Sequence, residues 1–122
     1  MRVFILEDDP ERIRLFHQAF IGHDVTLAKD TERALSLFQP PYDWVLLDHD
    51  LGGQVYVDSD EEDCGAAFCR RMPVENLGAA RFVVHSFNRD GARRMVETLA
   101  DKGIQSIWQP FGPSVLAIGS QP

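Results

Sequence analysis

Two kinds of apolar pattern alternate along the chain. Val3-Phe4-Ile5-Leu6 is a short continuous apolar run with no helical period, the look of a strand buried on both faces of a parallel sheet. Val25 to Ala28, Trp44 to Leu47, Phe82 to Val84 and Ile104 to Trp108 supply four more predicted strands. Between them the spacing turns helical. Asp9-Pro10 opens a helix, with Asp as N-cap, Pro in the first turn, and Ile13, Phe16 and Phe20 inward before Gly22 ends it. Asp30 caps a second helix with Ala34, Leu35, Leu37 and Phe38 inward, stopped by Pro40-Pro41. An irregular segment from Asp50 to Asp63 precedes a helix from about Ala66 to Arg71, broken by Pro73, and a fourth helix runs from Asp90 to Lys102 and ends at Gly103. Five βα units in succession predict a doubly wound α/β domain, a five-stranded parallel sheet with right-handed crossovers and helices on both faces. After Phe111 only about two helical turns remain before Gly119, so the last helix is predicted short or missing. The apolar stretch Val115 to Ile118 is expected to cover the sheet flank or to pack against a second copy as a homodimer.

The chain has 122 residues, which predicts one domain spanning 1–122, and its 44% hydrophobic and 25% charged residues suffice for a core without disulfide or metal staples. Nineteen acidic against twelve basic side chains give a net charge of -7, so nucleic acid would have to be met through a local patch or a metal ion. No apolar run approaches the ~20 residues of a membrane span, and no signal-peptide region precedes the first strand; a cytoplasmic protein with no membrane partner is expected. No DNA-binding domain is expected. Cys64 and Cys69 read as free thiols, and His17 and His23 as surface residues.

In a doubly wound sheet, chemistry is sought just after the strands. There the chain carries Glu7-Asp8-Asp9, Asp48-His49-Asp50, His85-Ser86 with Asn88, and Gln109-Pro110. Asp9 and Asp30 have capping duties, but three acids at two strand ends, Glu7, Asp8 and Asp48, repel one another unless a cation intervenes. An all-oxygen set of this kind suits Mg²⁺ or Mn²⁺ better than Zn²⁺, with Asp50 as a further candidate.

Over nearly its whole length the chain resembles the receiver domains of two-component response regulators, which share the flavodoxin/CheY-like three-layer sandwich. The resemblance rests on residues 3–10, on Tyr42 to Asp48, on Ser86 and on Gln109-Pro110-Phe111. It implies that Glu7 and Asp8 bind the metal, that Asp48 accepts phosphate from a histidine kinase, and that Ser86 contacts the phosphoryl group. At Gln109 receivers carry a lysine, and an amide cannot supply its positive charge. Asp48-His49-Asp50-Leu51-Gly52 and His85-Ser86-Phe87-Asn88, with Gly91-Ala92 and Met95, look like the divergent cyclic-phosphate processing receiver domains. That resemblance implies action on a phosphorylated small molecule or an RNA end. Two histidines can serve as acid and base in opening a 2′,3′-cyclic phosphate while a metal neutralises it. His49 and His85 are the candidates, with Ser86, Asn88 and Gln109 toward the phosphate. Alternation sets a condition, since Asp48 and His49 leave the strand in opposite directions, as do His85 and Ser86.

The 51–63 insertion, with five acids between Asp58 and Asp63, predicts a flap beside the site and a solvated loop ending in an N-cap. Arg70-Arg71, Arg89 and Arg93-Arg94 are the basic clusters; those near Asn88 suit either a phosphate or the wet face of a helix. Three functions fit these residues: a metal-dependent phosphoesterase acting on cyclic phosphate ends, a phosphorelay receiver, and a pseudo-receiver that only binds protein.

Overall fold

The computed structural model describes residues 1–122. The elements are β1 (Arg2–Leu6), α1 (Pro10–Ala19), β2 (Asp24–Ala28), α2 (Thr31–Leu37), β3 (Trp44–Leu47), α3 (Gly65–Arg71), β4 (Arg81–Val84), α4 (Arg89–Asp101), β5 (Ser106–Trp108) and α5 (Pro113–Leu116), the last followed by a 3₁₀ turn over Ala117–Ser120. All strand pairs are parallel and the order is β2-β1-β3-β4-β5. No helix is long and apolar enough to cross a membrane.

Strand alternation divides the core. Phe4, Leu6, Val45, Leu47, Phe82 and Val84 face Ala34, Phe38, Phe68, Met95 and Leu99 of the α2–α4 side. Val3, Ile5, Leu46 and Val83 face Phe16, Phe20, Val115 and Ile118 on the α1 side. Phe4 is buried against Phe38 at 5.0 Å and Phe68 at 5.6 Å between ring centroids, so truncating it would cost about 3–5 kcal/mol. The tail covers the sheet flank as one of its two expected roles, and Gly119 is packed so close to the Ala19 carbonyl that a Cβ there would meet it at 2.0 Å.

Several local expectations are corrected. β5 begins at Ser106, because Ile104 turns to pack against the larger core. α4 begins one residue early, capped by Asn88, whose side chain accepts from Gly91 N. α3 has Cys64 at its N-cap with no side-chain cap; Asp63 instead accepts from the Thr31 amide at 3.0 Å. Leu37, expected inward, is exposed at the frayed end of the short α2. His23 is half-buried and bridges the amino terminus (3.0 Å) and the Gly119 carbonyl (2.9 Å), whereas His17 is exposed. Cys64 and Cys69 are buried free thiols, and burial pushes Cys69 up to about 12.

Candidate functional site

Strand order reverses between β1 and β3, and backbone pairing continues one residue past several strands. Asp48 N donates to Leu6 O at 3.0 Å, and His85 N donates to Leu47 O at 2.9 Å. Glu7, Asp48 and His85 therefore form a row with the same alternation as Ile5, Leu46 and Val83, all leaving the sheet on the α1 side. Register alone brings them together: one ligand atom from each lies within 4.8 Å of the others, and all three residues are buried.

Glu7 is fully buried. Its Oε1 lies 3.0 Å from His85 Nε2, and its Oε2 accepts from the amides of Asp8 (3.1 Å) and Asp9 (3.2 Å). Asp48 Oδ1 accepts from His49 N at 2.9 Å. Arg12, on α1, brings its Nη1 to 3.6 Å from Glu7 and 3.9 Å from Asp48, with the guanidinium over the rings of Phe87 (4.7 Å) and Phe111 (5.3 Å). Burial raises Glu7 against the pull of the amides and Arg12, and burial together with the Glu7 charge pushes Asp48 up to about 7. His85, packed against Phe16 at 5.3 Å, is lowered by burial to about 4, which leaves it neutral at pH 7; its Nδ1 has no hydrogen-bond partner. It orients Glu7.

Glu7, Asp48 and Arg12, but not His85, line a cleft of about 470 Å³ together with Asp8, Ser86, Asn88, Asp50 and the flap residues Gly53 to Tyr56. Asp8 Oδ2 accepts from Gly53 N at 2.6 Å, which ties the flap to the cleft wall and leaves Asp8 outside the close-packed row. Burial raises Asp8 as well. Three carboxylates in one cleft, each raised by burial and with Arg12 standing beyond close ion-pair distance of the two in the row, fit a hard divalent cation.

His49 lies elsewhere. It is fully buried, with Nδ1 2.9 Å from Asp50 Oδ1 and Nε2 3.0 Å from Ser59 Oγ. Gly91 makes room for the ring, since a Cβ there would lie 2.5 Å from it. Asp50 also accepts from Asn88 Nδ2 (2.9 Å), Tyr56 N (2.7 Å) and Val57 N (3.0 Å). Burial alone would raise this carboxyl, yet the converging donors outweigh burial and hold it below its usual range. The two imidazoles thus do not flank one cleft as an acid–base pair, because alternation sends Asp48 and His49 to opposite sides of the sheet.

Ser86 is buried, lines the cleft and accepts from Asn88 N at 3.0 Å. Gln109 is exposed and does not line the cleft; its amide pairs with Val84 O at 2.9 Å. Arg93 and Arg94 are exposed beside Glu97 and Asp60 and stand outside the Asp48 cleft.

The profile of the cyclic-phosphate processing receiver domain matches residues 2–101. The chain belongs to that family. Its receiver fold is shared with the BeF3-activated DrrB receiver domain (TM-score 0.63, 17% identity, covering 96% of this chain and 91% of that one). The BeF3-activated receiver domain of Klebsiella pneumoniae RstA is similar at 0.61 and 23%, covering 97% and 93%. The Mn²⁺-bound response regulator Rcp1 is similar at 0.59 and 13%, covering 97% and 88%. No curated protein matches the sequence.

Within this receiver domain, sequence reasoning missed two residues. Arg12 brings a fixed positive charge to the acidic row, and its signal was an arginine three residues after the Asp9 cap, in the first turn of a helix that starts at the cleft. Ser59 had no signal, because its partner His49 is ten residues away across an irregular loop.

Proposed function

We propose that the cleft is a divalent-cation-dependent phosphate site that opens cyclic phosphate ends of nucleotides or RNA. The observation that supports it best is the convergence of Glu7, Asp8 and Asp48 with the Arg12 guanidinium in one cleft of a size suited to a phosphorylated ribose. Glu7, Asp8 and Asp48 would hold Mg²⁺ or Mn²⁺, which when bound neutralises the acids and attracts a phosphate oxygen. Arg12 offsets a second phosphate charge, and the Ser86 hydroxyl and Asn88 amide border the oxygens. His85 and the Asp8 and Asp9 amides keep Glu7 in place. Asp48 is the group that receives a proton from the attacking water; as the new bond from water oxygen to phosphorus forms, one P–O bond to ribose breaks, and that proton passes on to the ribose oxygen, leaving a monoester.

Hydrolysis of a 2′,3′-cyclic nucleotide in the presence of Mn²⁺ or Mg²⁺ tests this reading. Asp48→Asn should lower turnover roughly 10²–10⁴-fold, the size of general-base assistance. Arg12→Gln should raise KM.

A second reading, phosphoryl acceptance on Asp48 from a histidine kinase, is supported by the joint placement of Asp48, Asp8 and Ser86 at the cleft. Arg12 would then stand where charge neutralisation is needed, with Gln109 pointing elsewhere. Stable labelling of Asp48 by a small phosphodonor, without cyclic phosphate hydrolysis, would favour it over the first.

A further inference from the structure

Ser59 Oγ stands at the end of a hydrogen-bonded line that starts at a carboxylate. Four donors converge on Asp50: His49 Nδ1, Asn88 Nδ2, and the amides of Tyr56 and Val57. A carboxylate so surrounded is acceptor-only, which requires the proton of His49 to sit on Nδ1. Asn88 Nδ2 also lies 3.3 Å from His49 Nδ1, but it is farther than the acceptor-only Asp50 oxygen at 2.9 Å and does not displace the Nδ1 proton. Its Oδ1 accepts from Gly91 N at 2.9 Å, which fixes Nδ2 as the donor, and Nδ2 finds acceptors in Asp50 Oδ1 and Val57 O. His49 Nε2 then carries a lone pair, so the Ser59 hydroxyl at 3.0 Å must donate to it. Hydroxyl, imidazole and carboxylate in this sequence activate nucleophilic serines on unrelated folds.

The line is rigid and opens outward. His49 is buried and held against Gly91, and the Ser59 carbonyl accepts from Arg70 Nη1 at 2.7 Å. Ser59 lines a pocket of about 480 Å³ between the flap and α4 with Asn88, Gly91, Arg93 and Arg94, which Asp58, Asp90 and Glu97 also line. The two arginines are paired only at the surface, at 4.0 Å to Glu97 and 3.2 Å to Asp60, and can turn to an anionic ester. Tyr56 and Asn88 line both this pocket and the Asp48 cleft, so the two open side by side.

We propose that Ser59 is a nucleophile activated by His49, with Asp50 as the positioning residue, and that its pocket takes phosphate esters. A new bond forms between Ser59 Oγ and phosphorus while the bond from phosphorus to the leaving alkoxide breaks. The hydroxyl proton passes to His49 Nε2 and from there to the alkoxide. Water then cleaves the phosphoserine bond by the reverse proton path. This site is distinct from the acidic cleft and needs no cation.

A fluorophosphonate probe reads the first step, since Oγ–P forms, P–F breaks, fluoride leaves and the proton goes to His49. In EDTA, the wild-type protein should be modified at Ser59 by mass spectrometry, and Ser59→Ala should not. His49→Gln keeps a polar group but no base, and should slow labelling roughly 10²–10⁴-fold. Labelling is read in EDTA, where the cleft reading predicts no activity, so failure of that reading and failure of this one are separable. Nitrogen-15 NMR of the wild-type protein should show His49 protonated on Nδ1, with the proton moving toward Nε2 in Asp50→Asn. An unlabelled Ser59, labelling that His49→Gln does not slow, or a wild-type His49 protonated on Nε2 would overturn the proposal.

Discussion

The two sides of the β3 carboxyl end each bury an imidazole against a carboxylate, and they treat charge in opposite ways. On the α1 side, Glu7 and Asp48 share one neutral histidine, three amides and a guanidinium more than 3.5 Å away. Their protons are held too tightly, as the raised values show. On the flap side, Asp50 alone has four donors and sits below its usual range although it is partly buried. Burial outweighs the donors in the acidic row, and the converging donors outweigh a lesser burial at Asp50. The flap network is complete by itself, whereas the acidic row lacks positive charge, which is what a site for a cation and a phosphate requires.

Breaking the complete network should have the largest effect. Asp50→Ala strands Asn88, His49 and two amides, and at roughly 1–3 kcal/mol per unsatisfied buried donor a loss of about 3 kcal/mol or more is expected in urea unfolding. Gly91→Ala attacks the same network sterically, because the imidazole it meets is boxed in by Asp50 and Ser59; a large loss of stability and a displaced His49 resonance are expected. If Asp50→Ala were nearly neutral, the contrast between the two sides would collapse.

The acidic row should respond with the opposite sign. Asp48→Asn removes a carboxylate that is ionised at pH 8 against the cost of burial and the Glu7 charge, and should stabilise the cation-free protein there by about 1–3 kcal/mol, one pKa unit being about 1.4 kcal/mol. Acidity separates the contributions further. Asp48, raised to about 7, binds a proton in the native state that the unfolded chain has released, so its stabilising contribution fades as pH rises from the ordinary carboxylate range through 7. His85, lowered to about 4, does the reverse, adding stability as pH rises from 4 to the ordinary histidine range. The two offset each other in the wild type. In Asp48→Asn one opposing slope is removed, so the melting temperature should rise more steeply between pH 4 and 6.5 than in the wild type; an unchanged or shallower slope would contradict the assignment.

The smallest effect tests the tail. His23→Ala removes two hydrogen bonds to the chain ends and should cost about 1 kcal/mol, while His17→Ala, fully outside the packing, should be silent.

Much of this was legible beforehand. Continuous apolar runs named the five strands, and short acidic strings after β1 and β3 named Glu7, Asp8 and Asp48, because buried strands and strand-end chemistry leave composition signals. Alternation separated Asp48 from His49 on paper. Register was not readable, so the pairing of His85 with Glu7 and its side of the sheet came only from the parallel ladder. The flap was recognised as irregular, but its turn geometry, with Tyr56 at φ 54°, has no periodic signature, and so the Ser59–His49 contact stayed hidden. Gln109 was readable as a departure from the lysine of receivers, yet its exposure just past the edge strand β5 and the role of Arg12 depend on three-dimensional packing.

Calorimetric titration of Mg²⁺ into the purified protein tests the central claim most directly. One ion should bind per chain, with a matching rise in melting temperature. Asp48→Asn should abolish the binding, and Ser59→Ala, on the complete side, should leave it intact. No binding up to tens of millimolar Mg²⁺, or binding that survives Asp48→Asn, would contradict the account.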